Sequence, residues 1–182
     1  MTSIYLDSCP LIDLAKYKAR FHGSIITISQ ERETDVWQVE KLLDIARAGS
    51  IRVITSTLTI SECTHIDNNE HVPHVETKRF YSELLTSGKG GIFLVQPILS
   101  ILTRARNLRW EENIFCKPLD SVHIASALYH KCSEIWTRDD KMIRFANQLE
   151  ALGLKCIVPS SSQYVTAFRY RDIDGHVTKV VE

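Results

Sequence analysis

Five short apolar runs, separated by longer stretches with helical periodicity, constrain this chain more than any other feature. The runs are Ser3–Leu6, Ile51–Thr55, Ile92–Val95, Ile135–Thr137 and Lys155–Val158. They are rich in β-branched and aromatic residues, as strands are. They are also too short and too apolar to be half-exposed, so they read as strands buried on both faces. Strands of that kind, alternating with helices, assemble into a parallel sheet covered on both sides, with right-handed crossovers. The expected fold class is therefore α/β, three layers deep (α/β/α), around a central parallel sheet of about five strands.

The helical stretches carry their own punctuation. Pro10–Lys16 has apolar residues spaced for one face, with Ser8 as a candidate N-cap. From Thr34, the residues Val36, Val39, Leu42, Leu43, Ile45 and Ala46 share a face, and Gly49 is placed to end the helix. Further helices are expected around Glu62, over His74–Leu85, from Pro97 to about Glu111, from Pro118 onward and over Lys141–Leu152. Lys18–Glu33 is polar except for Ile25–Ile28 and reads as a loop or short excursion. After Pro159 the pattern alternates around Asp174-Gly175, a hairpin signal. The expected organisation is one domain over residues 1–159 and a small β-hairpin extension over 160–182.

Composition narrows the function classes. With 22 Lys+Arg against 22 Asp+Glu, there is no overall basic footprint, so any nucleic-acid groove must be local. The five cysteines contain no C-x-x-C pair, which argues against a zinc site or a disulfide framework and suits a reducing cytoplasm. No apolar run approaches the ~20 residues of a membrane span, and Met1-Thr2-Ser3 opens no signal-like segment. There is no G-x-G-x-x-G, Walker loop or nucleophile elbow, so nucleotide cofactors and covalent catalysis lack support.

Four acids stand where expected strands give way to helices: Asp7, Glu62, Asp120 and Asp139. Ligands of a doubly wound sheet gather at the carboxyl ends of its strands. Any one such acid is explained by helix capping or by the helix dipole. Four at one sheet edge are not, because their mutual repulsion would cost stability without a cation. Oxygen ligands of this kind suit Mg²⁺ or Mn²⁺, which activates water and stabilises charge on phosphoryl oxygens.

The segments Tyr5-Leu6-Asp7-Ser8, Ser61-Glu62, Leu119-Asp120-Ser121-Val122-His123-Ile124-Ala125-Ser126-Ala127 and Trp136-Thr137-Arg138-Asp139, in this order and spacing, resemble the PIN-domain family, which includes VapC-type toxins. The resemblance covers Ile4 to Val158. It implies a PIN-like parallel sheet flanked by helices, Mg²⁺- or Mn²⁺-dependent cleavage of RNA phosphodiesters, and frequent homodimerisation. For toxin members it also implies a small antitoxin partner. Carried over by position, Asp7, Glu62, Asp120 and Asp139 would be the catalytic, metal-binding acids. Asp139 is preferred to Asp140 because it stands two residues after Thr137. Ser8 and Thr137 would supply oxygens that orient those carboxylates. The alternative is a catalytically inactive PIN-like module that binds RNA or protein.

Other residues have plainer roles beside the chemical ones. His123 lies one turn after Asp120, and a packed, hydrogen-bonding histidine is preferred there to a base or ligand. His65, Asp67, Glu70, His71, His74 and Glu76 read as a solvated turn, since Pro73 interrupts helical ligand spacing. Arg138 is the candidate phosphate contact. Arg104, Arg106 and Arg109 beside Trp110 could grip RNA, but a solvated helix face with Trp110 packed inward is the preferred reading.

Overall fold

The computed structural model describes residues 1–20, 29–64 and 74–162, together with the short strands at 170–171 and 177–178. In chain order the elements are β1 (Ser3–Leu6), α1 (Ser8–Arg20), α2 (Gln30–Arg47), β2 (Arg52–Ser56), α3 (Leu58–Glu62) and α4 (Val75–Tyr81), which runs on into a π-helical turn at Ser82–Thr86. Then come β3 (Ile92–Val95), α5 (Leu99–Trp110), α6 (Pro118–Tyr129), β4 (Glu134–Trp136), α7 (Asp140–Ile143), α8 (Ala146–Ala151) and β5 (Lys155–Ile157).

The sheet has the order β3-β2-β1-β4-β5, and every neighbouring pair is parallel. At its centre Ile4 stands opposite Val53 on one side and Glu134 on the other. Alternation along the strands divides the core in two. Ile4, Leu6, Val53, Trp136 and Ile157 pack against Leu11, Leu14, Val39, Leu42 and Tyr81. Tyr5, Ile54, Ile135 and Cys156 pack against Ile101, Leu108, Ile124, Met142 and Leu149 on the opposite face. The three-layer expectation is met: helices cover both faces of a five-stranded parallel sheet.

Several boundaries differ from the sequence reading. The α1 helix continues to Arg20, and α2 begins at Gln30 instead of Thr34, within the stretch read as a loop. Its first turn is polar because it faces solvent. Ser29 caps it by accepting from Arg32 N at 3.4 Å, and Glu31 and Glu33 complement the positive end of the helix. Residues 21–28, with the apolar Ile25–Ile28, lie outside the described residues, as do 65–73 of the His/Asp/Glu patch. The helix expected over Lys141–Leu152 is two helices, broken where Phe145 N takes the tighter bond to Met142 O at 3.0 Å. Gly90 has a steric duty: a Cβ there would lie 1.9 Å from Leu84 O in the π-helical turn.

Residues just past β5 are bound into this body. Ser160 N donates to Asp35 Oδ1 at 2.8 Å, and Ser162 Oγ donates to the buried Glu134 Oε2 at 3.1 Å. Beyond them, β6 (Tyr170–Arg171) pairs antiparallel with β7 (Val177–Thr178), with Tyr170 opposite Thr178. The Asp174-Gly175 turn proposed between them lies outside the described residues.

Candidate active site

The strand order reverses at the centre of the sheet. The chain builds outward from β1 through β2 to β3, then returns to place β4 and β5 on the other side of β1. A crevice opens at such a point, outside the carboxyl ends of the two central strands. Asp7 leaves β1 at this edge and immediately precedes α1; its backbone N–H donates to Trp136 O at 3.1 Å. Thr137 leaves β4 beside it. Its Oγ1 donates to Asp7 Oδ2 at 2.8 Å and accepts from Asp139 N at 3.0 Å. One hydroxyl thus ties together the two acids that follow the central strands. Asp139 caps α7, taking Lys141 N at 2.8 Å, and Ser8 is buried next to Asp7 in sequence.

Asp120 enters from the first turn of α6, a helix started by Pro118. Its Oδ2 is buried and has no hydrogen-bond partner among the described residues. Its carboxyl is raised above the ordinary range, first by burial and then by the negative charges of Asp139 and Asp7, with Lys117 pulling the other way. Asp120 is therefore the acid on which the charges of Asp139 and Asp7 both bear.

Glu62 reaches the site by another route. It ends α3, whose start is fixed by Thr55 Oγ1: this hydroxyl donates to Leu6 O at 2.7 Å and lies 2.7 Å from Thr59 Oγ1. Glu62 Oε2 lies 2.8 Å from His123 Nε2, and His123 Nδ1 lies 2.8 Å from the Tyr5 hydroxyl. Burial pushes the His123 pKa down, but the Glu62 hydrogen bond and the charges of Asp7, Glu62 and Asp120 outweigh it, so the net shift is upward. Burial and the Asp7 charge keep the Tyr5 phenol protonated. His123 is thus the hydrogen-bonding histidine expected. Tyr5 was missed, since a tyrosine inside a strand is indistinguishable from ordinary core.

The acid set matches a hard divalent cation in donor chemistry, and the unpartnered, buried Asp120 Oδ2 is the oxygen most in need of one. As the side chains stand, no three His, Cys, Asp or Glu groups among the described residues converge as a ligand set. Asp7 presents Oδ2 to Thr137, and Glu62 presents Oε2 to His123.

A PIN domain family model matches residues 24–148. The chain belongs to the PIN domain family. PIN domains are generally nucleases, and they generally use divalent metals. The matched segment contains Glu62, Asp120 and Asp139, while Asp7, just after β1, precedes it. No curated protein matches the sequence. Among solved structures, a toxin–antitoxin complex from Klebsiella pneumoniae is similar at 17% identity and a TM-score of 0.47, covering 87% of this chain and 98% of that one. No helix among the described residues is long and apolar enough to cross a membrane.

Around the PIN crevice, the arginines divide by partner. Arg138 is engaged by the buried Asp35 through Nε and by Glu31 through Nη2 at 3.2 Å, which locks the end of β4 to α2. Those ion pairs occupy the guanidinium that the sequence offered as a phosphate contact. Arg104 is tied to Glu112 at 2.9 Å. Trp110 is exposed, not packed inward: Ile101, Ala105 and Leu108 form the buried face of α5 and turn it outward.

The Thr137 hydroxyl should contribute measurably to this PIN fold. Thr137→Val keeps the shape but strips Asp7 Oδ2 and Asp139 N of a shared partner. Unmet buried groups cost about 1–3 kcal/mol. Urea unfolding in chelator should show a loss in that range. An unchanged midpoint would mean that both groups find other partners.

Proposed function

We propose that the protein is a metal-dependent endoribonuclease that hydrolyses RNA phosphodiester bonds, with Asp7, Glu62, Asp120 and Asp139 as the acids that hold Mg²⁺ or Mn²⁺. The observation that carries this reading is Asp120 Oδ2, buried without a partner while Asp139 and Asp7 press charge upon its carboxyl. When bound, such a cation supplies charge stabilisation at phosphoryl oxygens and acidifies the attacking water. Thr137 Oγ1 holds Asp7 Oδ2, and His123 Nε2 holds Glu62 Oε2, so these carboxylates are oriented before substrate arrives. Ser8, buried after Asp7, is assigned the same orienting task. Residues 1–159 would carry the nuclease and 160–182 an extension to it. Unpaired thiols at all five cysteines suit work in a reducing cytoplasm. A second copy of the chain and a small antitoxin are the protein partners proposed.

One observation favours a second reading, a PIN module that binds RNA or protein without cutting it: Glu62 is already occupied by His123. A single experiment separates the two. Looped and linear RNA are incubated with the protein in Mg²⁺, Mn²⁺ or chelator, and cut ends are mapped, while melting is followed with and without Mn²⁺. The nuclease reading expects cation-dependent internal cuts. It also expects stabilisation of about 2.7 kcal/mol at a hundred times the dissociation constant, fading at low pH as the acids take up protons. Stabilisation without cuts selects the binding module; neither effect removes the cation site altogether.

A further inference from the structure

The end of α5 and the loop after it expose two aromatic rings, each beneath an arginine. Trp110 is 68% exposed and Phe115 55%. The Arg106 guanidinium carbon lies 4.4 Å from the Trp110 ring centre, and that of Arg109 lies 5.3 Å from the Phe115 ring centre. Both arginines are exposed. A lone exposed ring is unremarkable; two in succession with stacked cations are not.

The loop is also held rigid on either side of Phe115. Ile114 is fully buried and its N–H donates to Leu108 O at 2.9 Å. Cys116 is buried and its Sγ donates to Lys141 O of α7 at 3.6 Å. With both neighbours anchored inward, the Phe115 ring is left facing outward. The next residue, Lys117, is exposed and caps α6, whose first turn carries Asp120, so the loop runs to the acid crevice. Over residues 104–117, four cations stand against two acids, one of which, Glu112, is neutralised by Arg104.

We propose that Trp110 and Phe115, with Arg106, Arg109 and Lys117, form a stacking platform that receives single-stranded RNA and leads it to Asp120. The proposal rests on the nuclease reading and names its substrate as an unpaired strand. Unstacked bases can lie on the open part of each ring, while the guanidinium on the ring offers positive charge to the adjoining phosphate. A duplex keeps its bases stacked on one another and has no face to offer. The local excess of cations, in a chain of zero net charge, favours a phosphate backbone over an apolar protein partner.

The test uses the full chain in chelator, where binding is read without cleavage, and a fluorescein-labelled single-stranded oligouridine with a duplex RNA as control. Trp110→Ala and Phe115→Ala should each weaken single-strand binding about tenfold. Arg106→Gln with Arg109→Gln should weaken it and flatten its salt dependence. Unlabelled oligouridine should quench intrinsic tryptophan fluorescence. Trp110→Phe should keep the affinity and lose that quenching, which a merely structural role would not produce. All of these side chains are exposed, so the variants should melt with the wild type. The platform is overturned if the wild type ignores the single strand, or if it prefers the duplex. Variants that bind as the wild type does overturn it too, as do variants that alter only the oligomeric state and so mark a protein interface. Cleavage in Mn²⁺ that is unaffected by these variants removes the platform alone. Oligouridine binding through Trp110 with no cleavage of any RNA removes the nuclease reading alone.

Discussion

Asp120→Asn is expected to lower RNA cleavage by at least about 100-fold while raising the melting temperature of the metal-free protein. The two effects share a cause. The Asp120 carboxylate is partly buried, has an oxygen with no partner, and faces the charges of Asp139 and Asp7. A cation would turn that repulsion into attraction, and several kcal/mol of charge stabilisation is lost with it, at about 1.4 kcal/mol per tenfold. In chelator the neutral amide removes the repulsion and leaves little else changed. Full cleavage by this variant would exclude Asp120 from the site.

The stability effect should depend on pH in a definite sense. The folded carboxyl titrates above its ordinary value of 3.8, so between that value and its raised one the folded chain keeps a proton that the unfolded chain has lost. Wild-type stability therefore falls as pH rises through this window, and the advantage of Asp120→Asn should open from about pH 4 and level off above the raised value. A melting difference that is flat across this window would show that the carboxyl is not under strain.

The features legible in the sequence are those that burial and topology dictate locally. Strands covered on both faces must be short and apolar, so all five in the central sheet could be read, and their order with the helices limited the sheet to a parallel one. Acids just after strands could be assigned to one edge for the same reason. Long-range polar partnerships were not legible. His123 meets Tyr5 across 118 residues and Arg138 meets Asp35 across 103, and neither pair leaves a periodic trace. The start of α2 was hidden because its first turn faces water, where helix and loop select the same polar residues. Trp110 was misjudged because it sits at the last turn of α5, where the buried face defined by Ile101, Ala105 and Leu108 has already rotated away.

His123→Ala should destabilise the protein by about 3 kcal/mol, the largest single-residue loss expected among the site's supporting groups. His123 is fully buried, and both ring nitrogens are engaged, one with Glu62 and one with the Tyr5 hydroxyl. Alanine strands both partners, at about 1–3 kcal/mol for each one left buried, and opens a void beside them. Glu62 is the less buried of the two and can recover water; Tyr5 cannot, since its side chain is fully enclosed. The loss should also follow pH. The folded pKa of His123 is raised, so the charged imidazole's contribution is complete below the unfolded value of 6.5 and is lost as pH rises through the folded value. Urea unfolding should accordingly show a greater cost of His123→Ala at pH 6 than well above neutrality. A loss under about 0.5 kcal/mol, the scale of ordinary surface changes, would mean that Tyr5 and Glu62 do not depend on the histidine. An equal loss at both pH values would show that His123 acts here as a neutral hydrogen-bonding group, with no ion pair to Glu62.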